Sequence, residues 1–431
     1  MRAVLISTYE MGRQPFGLAS PAAWLKRAGH EVTCADLSIQ GLPEQAVREA
    51  DFVAFYLPMH TATRLAVPVI AKVKKLNPGA ELCCFGLYAP LNEPYLRSLG
   101  VRTIIGGEFE SELASRQDGT LVALERLQFQ TPDRSTLPPL HKYAHLQFNG
   151  EARIAGYTEA SRGCKHLCRH CPVVPVYNGT FRVVQRDVVL EDIRQQVAAG
   201  AQHITLGDPD FFNGPTHATN IVDALHAEFP GLTYDVTIKI EHLLKNRRGL
   251  ENLKRTGCVF VTSAVEAVDD AVLEKLDKGH TRADFIAAVG LLREIGLTLT
   301  PTFIAFTPWT TRESYRDLLG LIAELDLIEN VTPIQLALRL LIPAGSRMLD
   351  LPEIRALVQG YDQEALLYRW KHPDPLVDGL AARAMRIAGK RGTRREGFRK
   401  LWELVSDEPL LDDFSLIPRA AIPYMDEPWY C

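Results

Sequence analysis

The sequence predicts an α/β protein in three parts: an N-terminal Rossmann domain of flavodoxin type, a partial (β/α)6 TIM-like barrel and a mostly helical C-terminal segment. Short apolar runs alternate with helical periods over residues 1–125, and the alternation restarts at 151 and continues to 345. Residues 126–150 are proline-rich and irregular, which is typical of a linker. Residues 346–431 carry mainly helical periods.

The first series predicts a parallel sheet with helices on both faces, a type of sheet that binds ligands at the carboxyl ends of its strands. The strands are predicted at residues 4–6, 31–34, 52–56, 81–85 and 103–105. The helices between them are predicted at residues 19–27, 61–75 and 93–99.

The second series predicts about six strand–helix units, too few for a closed barrel of eight. Its strands are predicted at residues 154–160, 203–206, 234–240, 259–264, 298–306 and 334–340. Its helices are predicted at residues 187–199, 216–228, 241–256, 267–276, 283–295 and 312–328. Folds of this kind place their chemistry at the carboxyl-terminal mouth of the barrel.

The composition is that of an ordinary soluble protein, with 46% hydrophobic and 23% charged residues. A net charge of -4 gives no case for nucleic acid or an anionic membrane as partner. The basic run at 390–400 is expected to be a solvated helix face. Without a signal peptide or an apolar run of membrane-spanning length, a cytoplasmic location is expected.

Three of the eight cysteines stand close together, as Cys164, Cys168 and Cys171 in CxxxCxxC spacing. Three thiolates can hold three irons of a [4Fe-4S] cluster and leave the fourth iron open for chemistry. The alternatives are a structural zinc site completed by His166 and His170, and a disulfide that leaves one thiol over. The cysteine loop follows the first predicted barrel strand, which places it at the mouth.

The other cysteines give weaker signals. Four of them lie in apolar, strand-like runs and are expected to be small buried hydrophobic residues: Cys34, Cys83, Cys84 and Cys258. Cys431 is a separate candidate for catalysis, because it is the last residue of the sequence.

Further motifs follow the cysteines in order: Gly207-Asp208-Pro209, Lys239-Ile-Glu241, Ser263-Ala-Val-Glu266 and Lys278-Gly279-His280-Thr281. The ordered set resembles the radical SAM superfamily, whose Gly-Glu-Pro motif receives the amino group of the S-adenosylmethionine (SAM) methionine. That amino group, when bound to iron, keeps N–H donors that need acceptors. The resemblance implies a radical SAM barrel, with Cys164, Cys168 and Cys171 holding the cluster. The SAM contacts that it implies are His170, Gly207, Asp208, Pro209, Lys239, Glu241 and Glu266.

The resemblance also implies reductive cleavage of SAM, with a flavodoxin or ferredoxin as electron donor. The usual product is a 5′-deoxyadenosyl radical, and a 3-amino-3-carboxypropyl radical is the minority outcome. The substrate is expected to be a small molecule or a metalloid. Gln335 and Arg339 are expected on one side of the sixth strand, as cofactor- or substrate-binding residues. Arg339 either clasps an anionic substrate or pairs with a carboxylate.

The N-terminal domain resembles the cobalamin-binding domain that precedes many radical SAM barrels, through residues 15–21, 28–32 and 106–110. It lacks the DxHxxG motif, and Phe85-Gly86-Leu87-Tyr88 stands in place of the Gly-Gly pair. His60 is the nearby imidazole, and a structural role is expected for it. Two alternatives remain: cobalamin binds and supports methyl transfer, or the domain is vestigial and shapes the substrate channel.

A closer resemblance is to the radical SAM family named for its Cys-Sec-Ala-Glu-Pro or Cys-Cys-Ala-Glu-Pro tail. It is carried by Ser161–His166, Cys171–Tyr177, Gly207–Pro215 and Phe306–Trp309, and the sequence stops at Tyr430-Cys431. The resemblance implies that the natural chain continues with selenocysteine, forming a soft, nucleophilic pair. The alternative is a genuine C-terminal cysteine or a shorter variant of the family. The rivals are a methylthiotransferase, which needs three more suitably spaced N-terminal cysteines, and a non-catalytic metal-stabilised interaction module.

Overall fold

The computed structural model describes residues 1–115, 118–390, 392–410 and 422–426. Its strands are β1 Arg2–Ser7, β2 Glu31–Asp36, β3 Phe52–Tyr56, β4 Glu81–Phe85, β5 Thr103–Gly107, β6 Gly119–Ala123, β7 His145–Phe148, β8 Glu151–Thr158, β9 Ser161–Gly163, β10 Phe181–Val183, β11 His203–Leu206, β12 Thr233–Thr237, β13 Cys258–Glu266, β14 Thr298–Phe303, β15 Val358–Asp362, β16 Leu367–Trp370 and β17 Tyr424–Met425.

The α-helices are α1 Phe16–Arg27, α2 Glu44–Glu49, α3 His60–Leu76, α4 Glu93–Ser98, α5 Glu110–Ser115, α6 Val174–Tyr177, α7 Arg186–Ala198, α8 Pro215–Glu228, α9 Ile240–Lys245, α10 Arg247–Arg255, α11 Asp270–Leu276, α12 Arg282–Ile295, α13 Arg312–Glu324, α14 Pro352–Leu357, α15 Pro375–Ala388 and α16 Arg394–Trp402. Among the described residues, none of these helices is both long and apolar enough to span a bilayer.

The N-terminal domain is a parallel sheet in the order β2-β1-β3-β4-β5-β6. All five residues of β3 are buried, because helices cover both faces of the sheet. This confirms the predicted Rossmann-like architecture and its five strands. The prediction missed β6, which is mostly exposed, and the six-residue helices α2 and α5, which are too short for a clear helical period.

The second domain is a half-barrel built on the parallel strands β8, β11, β12, β13 and β14. The antiparallel strands β7 and β17 extend its β8 edge. The predicted sixth strand at 334–340 is wrong. Pro333 opens a 3-10 turn that ends at Leu336, and a single parallel bridge joins Phe306 to Arg339. The half-barrel therefore has five parallel strands where six were predicted.

Three further boundaries differ from the prediction. The linker at 126–150 contains β7, which pairs with β8. The C-terminal segment contains the antiparallel hairpin β15–β16 as well as helices. The helix predicted at 241–256 divides into α9 and α10 at Asn246, whose side chain donates to the carbonyl of His242 at 2.8 Å.

Candidate active site

The cysteine loop leaves β9 at Gly163 and crosses the carboxyl end of β8. Gly163 has a φ of 72°, and a Cβ there would lie 2.4 Å from the carbonyl oxygen of Thr180, so only glycine fits. Asn213 fixes the start of the loop, because its Oδ1 accepts from the amide of Lys165 at 3.2 Å. The loop therefore sits at the mouth of the half-barrel, as predicted.

The three cysteines of the loop face one another closely enough for their charges to interact. Burial first, and then the charge of Cys168, raise the pKa of Cys171 to about 12. Burial also raises the pKa of Cys164. Thiols that resist ionisation ionise when a metal supplies positive charge, so this group of three sulfur donors fits a cluster. His170, needed by the zinc alternative, is turned instead towards Glu266.

His170, Glu266 and Lys278 form a buried charged group beside the cysteines. Nε2 of His170 lies 3.1 Å from Oε1 of Glu266, and Nζ of Lys278 donates to the same oxygen at 3.4 Å. Burial opposes ionisation of Glu266, but the charge of Lys278 and the contact with His170 lower its pKa to about 2. Glu266 is held at a φ of 70°, which fixes its direction at the end of β13.

The Gly207-Asp208-Pro209 motif follows β11, and its acidic side chain is already engaged. The Asp208 carboxylate accepts from the amide of Ala160 at 3.0 Å and from the hydroxyl of Ser161. Burial raises the pKa of Asp208 to about 7. Asp208 therefore braces the segment before the cysteine loop, and its predicted contact with the SAM amino group stays a prediction.

Lys239 and Glu241 lie at the start of α9, next to the cysteine loop. Nζ of Lys239 is 3.0 Å from Nδ1 of His166 and 3.6 Å from the Glu241 carboxylate. A hydrogen bond from Lys245, followed by the charge of Lys239, lowers the pKa of Glu241. Both side chains reach the mouth of the half-barrel, where SAM contacts were predicted.

Four residues that the sequence analysis did not place in a common site join this surface: His166, Asp210, His242 and His280. Asp210 is 2% exposed and lies between the rings of His166 and His242. The buried His280 ring lies within reach of the backbone of Val265. Burial, and then the charge of Lys278, lower the pKa of His280 to about 4, which keeps the ring neutral. In the sequence, this group was indicated only by the histidines that lie within or directly after predicted site motifs, namely His166, His242 and His280.

Gln335 and Arg339 do not act as a pair. Oε1 of Gln335 accepts from the amide of Phe303 at 3.2 Å, and the side chain borders the interior cavity. Arg339 forms an ion pair with Asp378 at 2.6 Å and stacks 4.1 Å from the centre of the Trp370 ring. Their predicted placement on one strand face is wrong, because Pro333 ends the strand pattern. For Arg339 the structure confirms the carboxylate-pairing alternative.

An interior cavity of about 250 Å³ lies inside the half-barrel, bordered at one end by Gly207 and at another by Arg13 and Arg394. Its wall is rich in hydroxyl groups and includes a carboxylate: Thr205, Asp235, Thr237, Thr262, Thr300 and Thr302. Such a wall binds a polar molecule through hydrogen bonds.

The interface between the two domains is built around Arg162, two residues before Cys164. Its guanidinium is 7% exposed and pairs with Glu110 at 2.6 Å, Glu159 at 2.6 Å and Glu108 at 3.4 Å. It also lies 4.8 Å from the centre of the Phe109 ring. Side chains from the N-terminal domain therefore hold the cysteine loop in place.

The interface is closely packed above the N-terminal sheet. The cavity at the carboxyl edge of the N-terminal sheet is about 200 Å³, less than the roughly 300–1,000 Å³ that holds drug-sized ligands. The rings of Tyr56, Phe85 and Phe109 pack within 5.8 Å of one another above the strands. His60 is hydrogen-bonded to the carbonyl of Ala365 at 2.6 Å, the structural role expected for it.

The remaining cysteines agree with their predicted burial in the strands: Cys34, Cys83, Cys84 and Cys258. Cys34 lies on β2, whereas Cys83 and Cys84 lie on β4, so they do not form a cluster triad. Cys431 lies outside the described residues.

Residues 158–322 match the family model described as "Radical SAM superfamily". The chain is 24% identical over 347 residues to the hopanoid C-3 methylase of Methylococcus capsulatus. That alignment covers 74% of this chain and 66% of the methylase, so the chain spans just under two thirds of its relative. It is also 25% identical to a tRNA-2-methylthio-N(6)-dimethylallyladenosine synthase of Chlorobium luteolum, over 45% of this chain and 44% of that protein.

Two solved structures share the fold. The radical SAM methyltransferase TsrM of Kitasatospora setae superposes with a TM-score of 0.71 at 15% identity, covering 94% of this chain and 89% of that chain. The cobalamin-dependent radical SAM enzyme OxsB, solved with aqua-cobalamin bound, superposes with a TM-score of 0.66 at 12% identity. Its match covers 89% of this chain and 66% of OxsB. In both cases the similarity is one of fold, in which a parallel N-terminal sheet precedes a half-barrel.

Proposed function

Since the chain is an enzyme of the radical SAM superfamily, through its domain at 158–322, we propose that it cleaves SAM reductively and acts on a small polar molecule. Such a domain implies a [4Fe-4S] cluster and SAM as cofactors. The proposed cluster ligands are Cys164, Cys168 and Cys171. The proposed substrate site is the hydroxyl-lined interior cavity of the half-barrel.

One observation carries the proposal. The three-thiol loop lies at the barrel mouth beside two sets of charged side chains, and Gly207 next to it borders the interior cavity. The donors and acceptors of SAM would meet Lys239 and Glu241 on one side and Glu266 on the other. Because Asp208 is engaged, the backbone of residues 207–209 is the proposed partner of the SAM amino group.

When bound and reduced, the cluster supplies the electron that breaks a C–S bond of SAM. The residues of this chain hold and position the reactants. Lys278 keeps its proton despite burial, because Glu266 and the cysteine sulfurs raise its pKa. Its charge in turn favours the thiolate form of Cys171. Glu266 stays ionised and accepts from His170, which fixes that ring at the mouth.

Two alternatives have less support. One relative is a hopanoid methylase, and OxsB and TsrM have been solved with cobalamin bound, but the cavity at the domain interface of this chain is only about 200 Å³. The vestigial-domain alternative is therefore the one we propose. Methylthiotransfer is disfavoured because Cys34, Cys83 and Cys84 do not converge.

The test is anaerobic reconstitution followed by mass spectrometry of SAM products, with and without dithionite. We expect an iron-loaded protein that releases 5′-deoxyadenosine only with reductant; a 3-amino-3-carboxypropyl product would assign the other C–S bond. Cys168→Ala should remove iron and activity, whereas Cys34→Ala, which changes a buried cysteine elsewhere, should keep both. A colourless zinc protein that leaves SAM intact would refute the proposal.

A further inference from the structure

We infer that His166, Asp210 and His242 form a separate binding site for one divalent transition-metal ion, adjacent to the cysteine loop. The three residues come from different parts of the domain. His166 lies between Cys164 and Cys168, Asp210 follows β11, and His242 is in the first turn of α9. The inference does not depend on the proposed SAM chemistry.

The distances from Asp210 to the two imidazoles fit binding to one metal. Oδ2 of Asp210 lies 2.7 Å from Nδ1 of His242 and 3.5 Å from Nε2 of His166. Donor atoms bound about 2.1 Å from one ion at angles near 80–110° are roughly 2.7–3.5 Å apart. The two rings are tilted by 56° to each other, and their centres are 4.9 Å apart. Oδ2 of Asp210 is therefore positioned to bind the same ion as both imidazoles.

These atoms also lack other partners. Within the described part of the chain, Nε2 of His166, Oδ2 of Asp210 and Nδ1 of His242 are buried and have no polar partner other than one another. The other oxygen of Asp210 caps the following turn by accepting from the amide of Phe212. Three buried donor atoms that turn only to one another are what a site for one ion requires.

The donor set indicates the class of metal. Two imidazoles and one carboxylate suit zinc, iron(II) or cobalt(II), and they leave coordination positions for water or a ligand. Such an open site is typical of a catalytic metal and not of a structural one. Sγ of Cys164 lies within 4.8 Å of donor atoms of His166 and Asp210, so the ion would sit beside the proposed cluster.

Lys239 and Glu241 lie next to the other ring nitrogen of His166, where a metal-bound histidine needs a hydrogen-bond acceptor. A metal on Nε2 requires a proton on Nδ1, which now lies 3.0 Å from Nζ of Lys239. The Glu241 carboxylate is 3.9 Å from the same Nδ1 and 3.6 Å from Lys239. With a metal bound, Lys239 would turn to Glu241, and the Glu241 carboxylate would accept a hydrogen bond from Nδ1–H, as carboxylates do for metal-bound histidines.

The first experiment uses the full chain with Cys164, Cys168 and Cys171 changed to alanine, so that neither cluster nor thiols bind the probe. We expect one Zn²⁺ or Co²⁺ per chain, with nitrogen and oxygen ligands by X-ray absorption. Asp210→Asn or His242→Gln should weaken binding by at least about 100-fold. His141→Gln, which alters an exposed histidine elsewhere, should leave it unchanged. Circular dichroism of each variant checks that it folds.

The second experiment uses the reconstituted wild-type enzyme, in case the triple variant does not fold. After incubation with Zn²⁺ and gel filtration, we expect about four iron atoms per zinc, and loss of the zinc alone in the His242→Gln variant. Zinc bound by sulfur, zinc retained in His242→Gln, or no stoichiometric metal in either protein would overturn the inference. Each of these outcomes is independent of whether SAM is cleaved.

Discussion

Arg162 provides the sharpest test of how the domains and the cysteine loop depend on each other. Methionine has a side chain of similar length to the aliphatic part of Arg162 but no charge. Changing Arg162 to Met therefore removes the positive charge that lies between Glu108, Glu110 and Glu159. Glu110 is fully buried, so its charge would lose its main counterion without gaining water.

The expected cost follows from this burial. Removing one partner of a buried ion pair costs about 3–5 kcal/mol, and loss of the contact with the Phe109 ring adds roughly 0.5–2 kcal/mol. At about 2–4 °C per kcal/mol, loss of the buried ion pair alone lowers the melting temperature by roughly 6–20 °C. Because Arg162 adjoins Gly163 and the cysteine loop, iron content after reconstitution should fall as well.

The assay is anaerobic thermal unfolding followed by circular dichroism, with iron measured on the same samples. The matched control is Arg186→Met, because Arg186 is exposed and pairs only with Asp187 at 3.1 Å among the described residues, a contact expected to contribute less than about 1 kcal/mol. The double variant Arg162→Met/Glu110→Gln should recover part of the loss, since one buried carboxylate is then neutral. If Arg162→Met melts within about 2 °C of Arg186→Met, the reasoning is wrong.

Three further predictions concern the same region. Gly163→Ala should lower iron loading severely, because its Cβ would meet the Thr180 carbonyl at 2.4 Å; unchanged iron by colorimetric assay would contradict this. Burial raises the pKa of Glu108 from 4.5 to about 7, so its contribution to stability is present below 4.5 and is lost as pH rises through 7. Glu108→Gln should therefore gain in melting temperature relative to wild type between about pH 5 and pH 8, and a constant difference would refute the assignment. Finally, protein incubated with hydroxocobalamin and gel-filtered should carry no corrinoid absorption; a stoichiometric complex would show that the domain interface opens.

The proposed cluster ligands stand together in the sequence, whereas their surroundings could not be predicted from it. Cys164, Cys168 and Cys171 lie within one loop, so their spacing already limits how far apart the sulfurs can be. Asp210 and His242 are 32 residues apart, and they meet because β11 and β12 are neighbours in the sheet. For Asp208, the sequence identified a motif but not the partner of the side chain, which accepts a hydrogen bond from Ser161.

Local pattern by itself determined most strands and helices, since the apolar periods of a chain reflect the faces that its elements bury. It also determined the sulfur donors and the order of the motifs. The tertiary structure alone decided which charges lie together: Arg162 among three carboxylates, Glu266 beside Lys278, and Asp210 between two histidines. The physical reason is that pairing and burial of a charge depend on distances across the fold, which a one-dimensional pattern does not contain.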